Sequence, residues 1–271
     1  MEPGMINAGK HNVLGVLMDA VDYEAAVEFV LKAAYERRGA AVSALAVHGL
    51  MNGVLHSEYK YRLDHFDLLV PDGQPVRWAL NLLHGAQLRD RVYGPNLMLA
   101  LCSRAEEVGL GVFLYGSTKE VLCGLRRSLE HRFPSLRIAG MEPSKFRRLS
   151  AGETTELIAR IRSTGAAIVF VGLGCPRQEI WAYELREALS MPLVAVGAAF
   201  PFFAGTVHQA PKWMQDRGLE WLFRLLAEPR LWRRYLFLNP LYVLLVALQL
   251  LRPSQFSSLV THHSMDDSLE I

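Results

Sequence analysis

From residue 12 to about residue 197, short apolar runs alternate with stretches whose apolar residues recur every three or four positions. The run "NVLGVLM" (12–18) reads as a strand. Asp22 then predicts a helix cap, because Ala26, Val27, Val30, Leu31 and Ala34 follow at helical spacing and Gly39 punctuates the end. Further strands are predicted at "AVSALAV" (41–47), "DLLV" (67–70), "GVFLYG" (111–116), "AAIVFVG" (166–172) and "LVAVGAAF" (193–200). A helix carrying Val121, Leu122, Leu125, Leu129 and Phe133 stops before Pro134, and "EPSKFRRLSAGE" (142–153) reads as a polar surface connection.

Strands that are apolar throughout have both faces covered, and strands separated by helices pair in parallel. The expected fold is therefore α/β: a Rossmann-like, mostly parallel sheet with helices on both faces, followed by a basic, aromatic helical C-terminal appendage. A length of 271 residues suits one large domain with an addition. The expected division is a Rossmann-like domain over 1–204, an appendage over 205–252 and a disordered tail over 253–271.

Half of the residues are hydrophobic (51%) and 21% are charged, which supplies a substantial core. A net charge of +2 argues against a general nucleic-acid binder. Three cysteines, widely spaced and with no C-x-x-C, fit neither a disulfide framework nor a zinc site, so free thiols in a reducing compartment are expected. The N-terminal stretch lacks a charged n-region and does not read as a secretory signal, which places the expected chemistry in the cytoplasm.

Ligands of such sheets bind outside the carboxyl ends of the strands, so the polar residues at three junctions carry weight. In "VGLGCPRQE", Gly172 and Gly174 let backbone N–H groups approach a ligand, and Pro176 suits a first helical turn. Exposed donors and partial positive charge at a helix start suit a phosphate or diphosphate. Arg177, Gln178 and Glu179 set three polar side chains there, and the glycine turn at Gly116 offers a second place for a diphosphate. The competing reading is an ordinary tight turn with a polar helix start. In "LLVPDGQP", Pro-Asp-Gly is ordinary turn chemistry. Its position after a strand nevertheless makes Asp72, beside Gly73, a candidate general base. "RVYGPN" sets Arg91 and Tyr93 before the next helix, on the same rim. His48 in "AVHGL" reads either as a structural histidine or as a sugar or acceptor contact. No H-E-x-x-H, D-x-D, G-x-G-x-x-G, Walker or G-x-S-x-G pattern occurs, so helix termini and arginines are the expected electrophilic groups, with no metal and no cofactor.

The segment from Lys212 to Tyr235 holds six basic residues against three acidic ones, interleaved with Trp213, Trp221, Phe223, Trp232 and Tyr235. If Pro229 starts a helix, Arg230, Arg233 and Arg234 share one face. The uncharged stretch 236–251 is short for a membrane span. Arginine and tryptophan beside it fit a segment lying on an anionic bilayer surface. The alternative is a helix packed on the domain or on a second copy in a homo-oligomer.

Taken together, "PDG" (71–73), "RVYG" (91–94), "FLYGS" (113–117), "VGLGCPRQE" (171–179), "VGAAFPFFAGTVHQAPKWM" (196–214) and "LEWLFRLLAEPRLWRRY" (219–235) resemble the WecG/TagA/CpsF glycosyltransferases over roughly residues 12 to 240. The resemblance implies transfer of a sugar, typically N-acetylmannosamine, from a UDP donor to an undecaprenyl-diphosphate-linked glycan. It implies work at the cytoplasmic face of the inner membrane in cell-surface polysaccharide synthesis, with inversion and without metal. It further implies that Asp72 is the general base, that Arg91 lies near the reacting sugar or diphosphate and that Gln178 belongs to the substrate pocket. Arg224, Arg233 and Arg234 would reach the lipid's diphosphate. The chain departs from the family's pattern at Ala46, Val47 and His48, at Pro201 and at Gln209, which leaves room for a related hexose or uronate as donor sugar. Two rivals are an NAD-type oxidoreductase, which shares the sheet but needs the missing glycine fingerprint, and a non-catalytic membrane-surface adaptor, which would leave the strand-end polar groups idle.

Overall fold

The computed structural model describes residues 5–227, 232 and 234–256. Its centre is a six-stranded parallel sheet built from β3 (Ala40–Leu45), β4 (Leu68–Pro71), β5 (Val112–Gly116), β6 (Ile138–Glu142), β7 (Ile168–Gly172) and β8 (Pro192–Ala195). The strand order is β4-β3-β8-β7-β5-β6, with every neighbouring pair parallel. The parallel α/β architecture anticipated from the apolar runs is what forms. Phe170, Val194 and Val42 on the inner strands are fully buried, as strands covered on both faces require.

One face of the sheet is covered by α1 (Tyr23–Tyr35), α5 (Gly94–Glu107), α6 (Lys119–Arg132) and the short α9 (Ala199–Phe203). The other carries α2 (Val47–Leu55), α3 (Ser57–Asp64), α4 (Gln74–His84), α7 (Ala151–Ser163) and α8 (Arg177–Leu189). Asp22 does cap α1: its side chain accepts from Ala25 N at 2.9 Å and, with its other oxygen, from Ile6 N at 2.7 Å. Fully burying a side chain such as Phe170 contributes about 1.5–3 kcal/mol.

Several boundaries differ from the sequence reading. "NVLGVLM" is not one strand. β1 (Asn7–Val13) and β2 (Val16–Val21) form an antiparallel hairpin that turns at Leu14 and Gly15, both left-handed. Strand β3 stops at Leu45, and Val47 and His48 already belong to α2. Strand β8 stops at Ala195, and Ala199 opens α9. An edge strand, β6, had no counterpart in the apolar pattern because all five of its residues are only partly buried. The polar connection ends at Ser150, whose side chain and Glu153 form a capping box that starts α7.

The C-terminal part contains α10 (Lys212–Asp216), α11 (Glu220–Ala227), a π-helical turn (Arg234–Leu238) and α12 (Asn239–Leu251). One face of α12 lies on the core: Tyr242, Val246 and Gln249 are buried, and the Tyr242 hydroxyl donates to the Pro75 carbonyl at 3.0 Å. Gln249 stitches α12 to the hairpin turn, accepting from Leu14 N at 2.8 Å and donating to the Asn12 carbonyl at 2.9 Å. A leucine with φ +57° costs roughly 1–2 kcal/mol relative to a right-handed residue, and this bond helps hold it. The opposite face of α12 is exposed, with Val243, Leu244, Leu250 and Leu251 outermost. No helix among the described residues is long and apolar enough to cross a membrane. Residues 253–256 form a further helical turn, and the Phe256 carbonyl accepts from Asn12 Nδ2 at 2.8 Å. The remainder of the expected disordered tail, 257–271, lies outside the described residues.

Candidate active site

The carboxyl ends of β4 and β3 open into a pocket of about 100 Å³. Asp72 stands at its floor because β4 ends at Pro71 and the Pro-Asp-Gly turn redirects the chain into α4. Its Oδ1 accepts from Gly94 N at 2.8 Å, the first amide of α5, so the carboxylate sits at a helix N-terminus. Burial pushes the Asp72 pKa up to about 6, against the downward pull of the Arg91 guanidinium. Glu220 adds to the rise, while the Gly94 amide and Arg224 oppose it. A carboxylate in that range is ionised at neutral pH yet basic enough to accept a proton, as general-base work requires.

Arg91 is only 6% exposed. Its Nη1 donates to the Asp72 carbonyl at 3.3 Å, its Nη2 donates to Glu220 Oε2 at 2.8 Å, and the guanidinium lies 4.1 Å from the centre of the Tyr93 ring. The Tyr93 hydroxyl donates to Glu220 Oε1 at 2.9 Å. Burial and Glu220 together raise the Tyr93 pKa, so the phenol stays protonated. His48, Gly73 and Arg224 line the same pocket, which brings together six of the residues singled out from the sequence: Asp72, Arg91, Tyr93, His48, Gly73 and Arg224. His48 Nε2 lies 3.4 Å from Asn52 Nδ2, one helical turn along α2.

The "VGLGCPRQE" junction follows β7 on the same edge and reaches back towards the pocket: Cys175 Sγ accepts from Asn52 Nδ2 at 3.8 Å, and that nitrogen lies 3.4 Å from His48 Nε2. Three inter-strand steps separate β4 from β7, which sets their ends roughly 14 Å apart. Gly172 and Gly116 prove to be packing glycines. A Cβ on Gly116 would meet the Gly172 backbone at 2.7 Å, and one on Gly172 would meet the Phe200 ring at 2.5 Å. Gly174 differs: its φ is +77° and no atom lies within 4 Å of where a Cβ would stand, so this turn is open.

Pro176 occupies the N-cap position and α8 begins at Arg177. Gln178 is buried, with Oε1 accepting from Gly174 N at 3.2 Å and Nε2 donating to Glu179 at 2.8 Å. Glu179 is 0% exposed, accepts from the Ser43 hydroxyl at 3.0 Å and has a pKa raised by burial. As arranged here, Glu179 supports the turn from beneath and presents no surface to a ligand, contrary to the expectation of a binding residue. Arg177 points to a different cavity, of about 870 Å³, which it lines with Arg62, Tyr115 and Trp181. Arg233 lies outside the described residues, as do Pro229 and Arg230. Arg234 is described only as the first residue of the π-helical turn.

Other residues of the pocket were not singled out as site residues from the sequence, among them Glu220 and Trp221 on α11. The signal available for Glu220 was its spacing of four from Arg224, which puts both on one helical face. Among the described residues, no group of three or more His, Cys, Asp or Glu side chains could hold a metal ion.

Comparison with known proteins gives a consistent picture. The sequence profile described as "Glycosyl transferase WecG/TagA/CpsF family" matches residues 11–256. The chain is 32% identical over 186 residues to the N-acetylglucosaminyldiphosphoundecaprenol N-acetyl-beta-D-mannosaminyltransferase of Bacillus spizizenii (strain ATCC 23059 / NRRL B-14472 / W23), covering 68% of this chain and 70% of that protein. It is 28% identical over 212 residues to the protein of the same description from Bacillus subtilis (strain 168), covering 78% and 80%.

Proposed function

Because the chain belongs to the WecG/TagA/CpsF family and is a glycosyltransferase, we propose that it moves a sugar from a UDP donor to an undecaprenyl-diphosphate-linked glycan. The sugar is an N-acetylhexosamine such as N-acetylmannosamine, or a related hexose or uronate. The acceptor class follows the relatives, which are described as acting on N-acetylglucosaminyldiphosphoundecaprenol. The observation that carries the reading is the half-buried Asp72 carboxylate, poised near pKa 6 at the carboxyl end of a parallel strand, with arginines beside it.

In the proposed reaction, Asp72 takes the proton of an acceptor hydroxyl as its oxygen attacks the anomeric carbon. The new glycosidic bond forms from the face opposite the departing phosphate, so the anomeric configuration inverts. The bond from the anomeric carbon to the β-phosphate oxygen breaks, and UDP leaves with the electron pair. Arg224 offsets the charge gathering on that phosphate, in the role of a preorganised electrostatic clamp that needs no metal. The phosphate bonded to the reacting carbon lies near Asp72, whereas the open Gly174 turn follows β7, three inter-strand steps along the sheet edge from β4. Gly174 therefore serves the nucleoside end of the donor, with Gln178 holding the turn in shape.

The lipid acceptor requires contact with a membrane, and we assign that contact to the peripheral C-terminal surface on the cytoplasmic face. The exposed outer face of α12 supports this reading, together with Leu236 and Phe237 in the π-helical turn and the indole of Trp232. Residues 205–252 would then act as a membrane-associating unit whose inner side is part of the fold.

Calorimetric titration of UDP and UDP-N-acetylhexosamines into the full-length protein in detergent, with EDTA present, tests the donor class. Saturable UDP binding without metal is expected. Binding of NAD with no uridine binding would overturn the reading in favour of an oxidoreductase.

A further inference from the structure

Glu220 is the first residue of α11, and both of its carboxylate oxygens are engaged by the catalytic edge: one by Arg91 Nη2 at 2.8 Å, the other by the Tyr93 hydroxyl at 2.9 Å. The ion pair is sheltered, with side-chain exposures of 8% for Arg91 and 14% for Glu220. Charge-assisted bonds of this kind are the strong ones, and each partner left alone would be a poorly solvated charge. Arg224 follows four residues later, one turn along the same face, and lines the Asp72 pocket beside Trp221. The guanidinium of Arg224 also lies 5.9 Å from the centre of the Phe202 ring on α9. The segment that brings Arg224 to the site is thus tied to the sheet edge through Glu220.

We propose that Glu220 is a positioning residue: clasped by Arg91 and Tyr93, its carboxylate sets the register of α11 on the active site so that Arg224 faces the phosphate leaving the anomeric carbon. The inference rests on Asp72 as the base and Arg224 as the partner of the leaving diphosphate. It assigns Arg91 a structural duty in the same clasp, joining the catalytic turn to the C-terminal segment. A rival view makes the same carboxylate a stand-in that the donor diphosphate displaces from Arg91, and it predicts effects of opposite sign.

The test compares Glu220→Gln, Glu220→Ala, Arg224→Ala and the Glu220→Gln/Arg224→Ala double variant in full-length protein. Steady-state transfer is measured against pH, and hydrogen exchange of the α11 amides is followed without substrate. Glu220→Gln is expected to lower kcat by about 10- to 100-fold, as loss of one charge of a sheltered pair does. The double variant should be no worse than Arg224→Ala, because both changes remove one function. Glu220→Ala should be the more severe single change, since glutamine keeps an acceptor for Tyr93. Removing the Glu220 charge also shifts the acid limb of the pH profile to lower pH, because that charge raises the Asp72 pKa. A lower donor KM with kcat unchanged in Glu220→Gln would establish the stand-in and overturn the proposal, and so would multiplicative effects of the two substitutions. Exchange of α11 should quicken in both Glu220 variants. Unchanged exchange overturns the clasp whatever the reaction proves to be, so its failure is separable from failure of the transferase reading.

Discussion

Asp72→Asn removes the proton-accepting oxygen and little else: the amide keeps nearly the same size, and its carbonyl can still accept from Gly94 N, at 2.8 Å in the native chain. Turnover is expected to fall by about 10²- to 10⁴-fold, the contribution of a positioned general base. Stability should move the other way. Raising a carboxyl from 3.8 to about 6 means that the ionised form is disfavoured in the fold by about 3 kcal/mol at neutral pH. The native state therefore binds more protons than the unfolded chain between pH 4 and 6, and this group makes stability fall as pH rises through that window. The neutral amide escapes that penalty, so the variant should be the more stable protein at pH 7.5, by about 1–3 kcal/mol once imperfect hydrogen bonding near Arg91 is allowed for. Near pH 4 the two should converge. Urea unfolding at both pH values reads the stability difference, and release of UDP in the presence of a lipid-linked acceptor reads turnover. The native enzyme should lose activity below about pH 6, and the residual activity of the variant should lack that acid limb. Near-normal turnover, or an acid limb that persists in Asp72→Asn, would remove Asp72 from the role.

Two other outcomes test how the C-terminal helix serves the fold and the membrane. Gln249→Ala leaves the buried Leu14 N–H without its side-chain acceptor and should cost about 1–3 kcal/mol in urea unfolding, despite lying 235 residues away in the chain. Leu244→Glu combined with Leu251→Glu, both on the exposed face of α12, should leave the unfolding midpoint unchanged. The pair should weaken sedimentation with anionic vesicles by about 100-fold, as the loss of two inserted leucines implies. Binding equal to that of the native protein would show that this face does not meet the bilayer.

Much of the fold was legible along the chain because inner strands of a parallel sheet are covered on both faces and so appear as unbroken apolar runs. Strands β3, β4, β5, β7 and β8 were visible for that reason, as was the Asp22 cap, which acts within three residues. The pattern failed where burial is partial or the turn is short. Strand β6, with every residue half-buried, has no such run, and the hairpin turn at Leu14 uses a residue that turn chemistry does not favour. Its support comes from Gln249, which no local rule could supply.

The candidate site divides along the same line. Asp72 could be picked out from the sequence because it follows a strand end, where a parallel sheet places its ligand groups, and Arg91 and Tyr93 because they stand just before the next helix. Their gathering in one pocket, and the burial of Gln178 and Glu179 beneath the Gly174 turn, depend on strand order, which short-range patterns do not encode. Gly116 and Gly172 looked like room for a phosphate, but tertiary contact makes them room for each other and for Phe200. Glu220 became visible only once α11 had been folded back over Arg91 and Tyr93. Likewise, the nearly uniform apolar stretch 239–251 contains no sign of which side faces inward. Tyr242, Val246 and Gln249 face the protein because the hairpin and Pro75 offer partners there, and the remaining side is left exposed. Local sequence determined which elements form, since helix caps and apolar periods act over a few residues. The tertiary structure decided which distant charges and amides meet, because those energies arise only when surfaces far apart in the chain are brought out of water together.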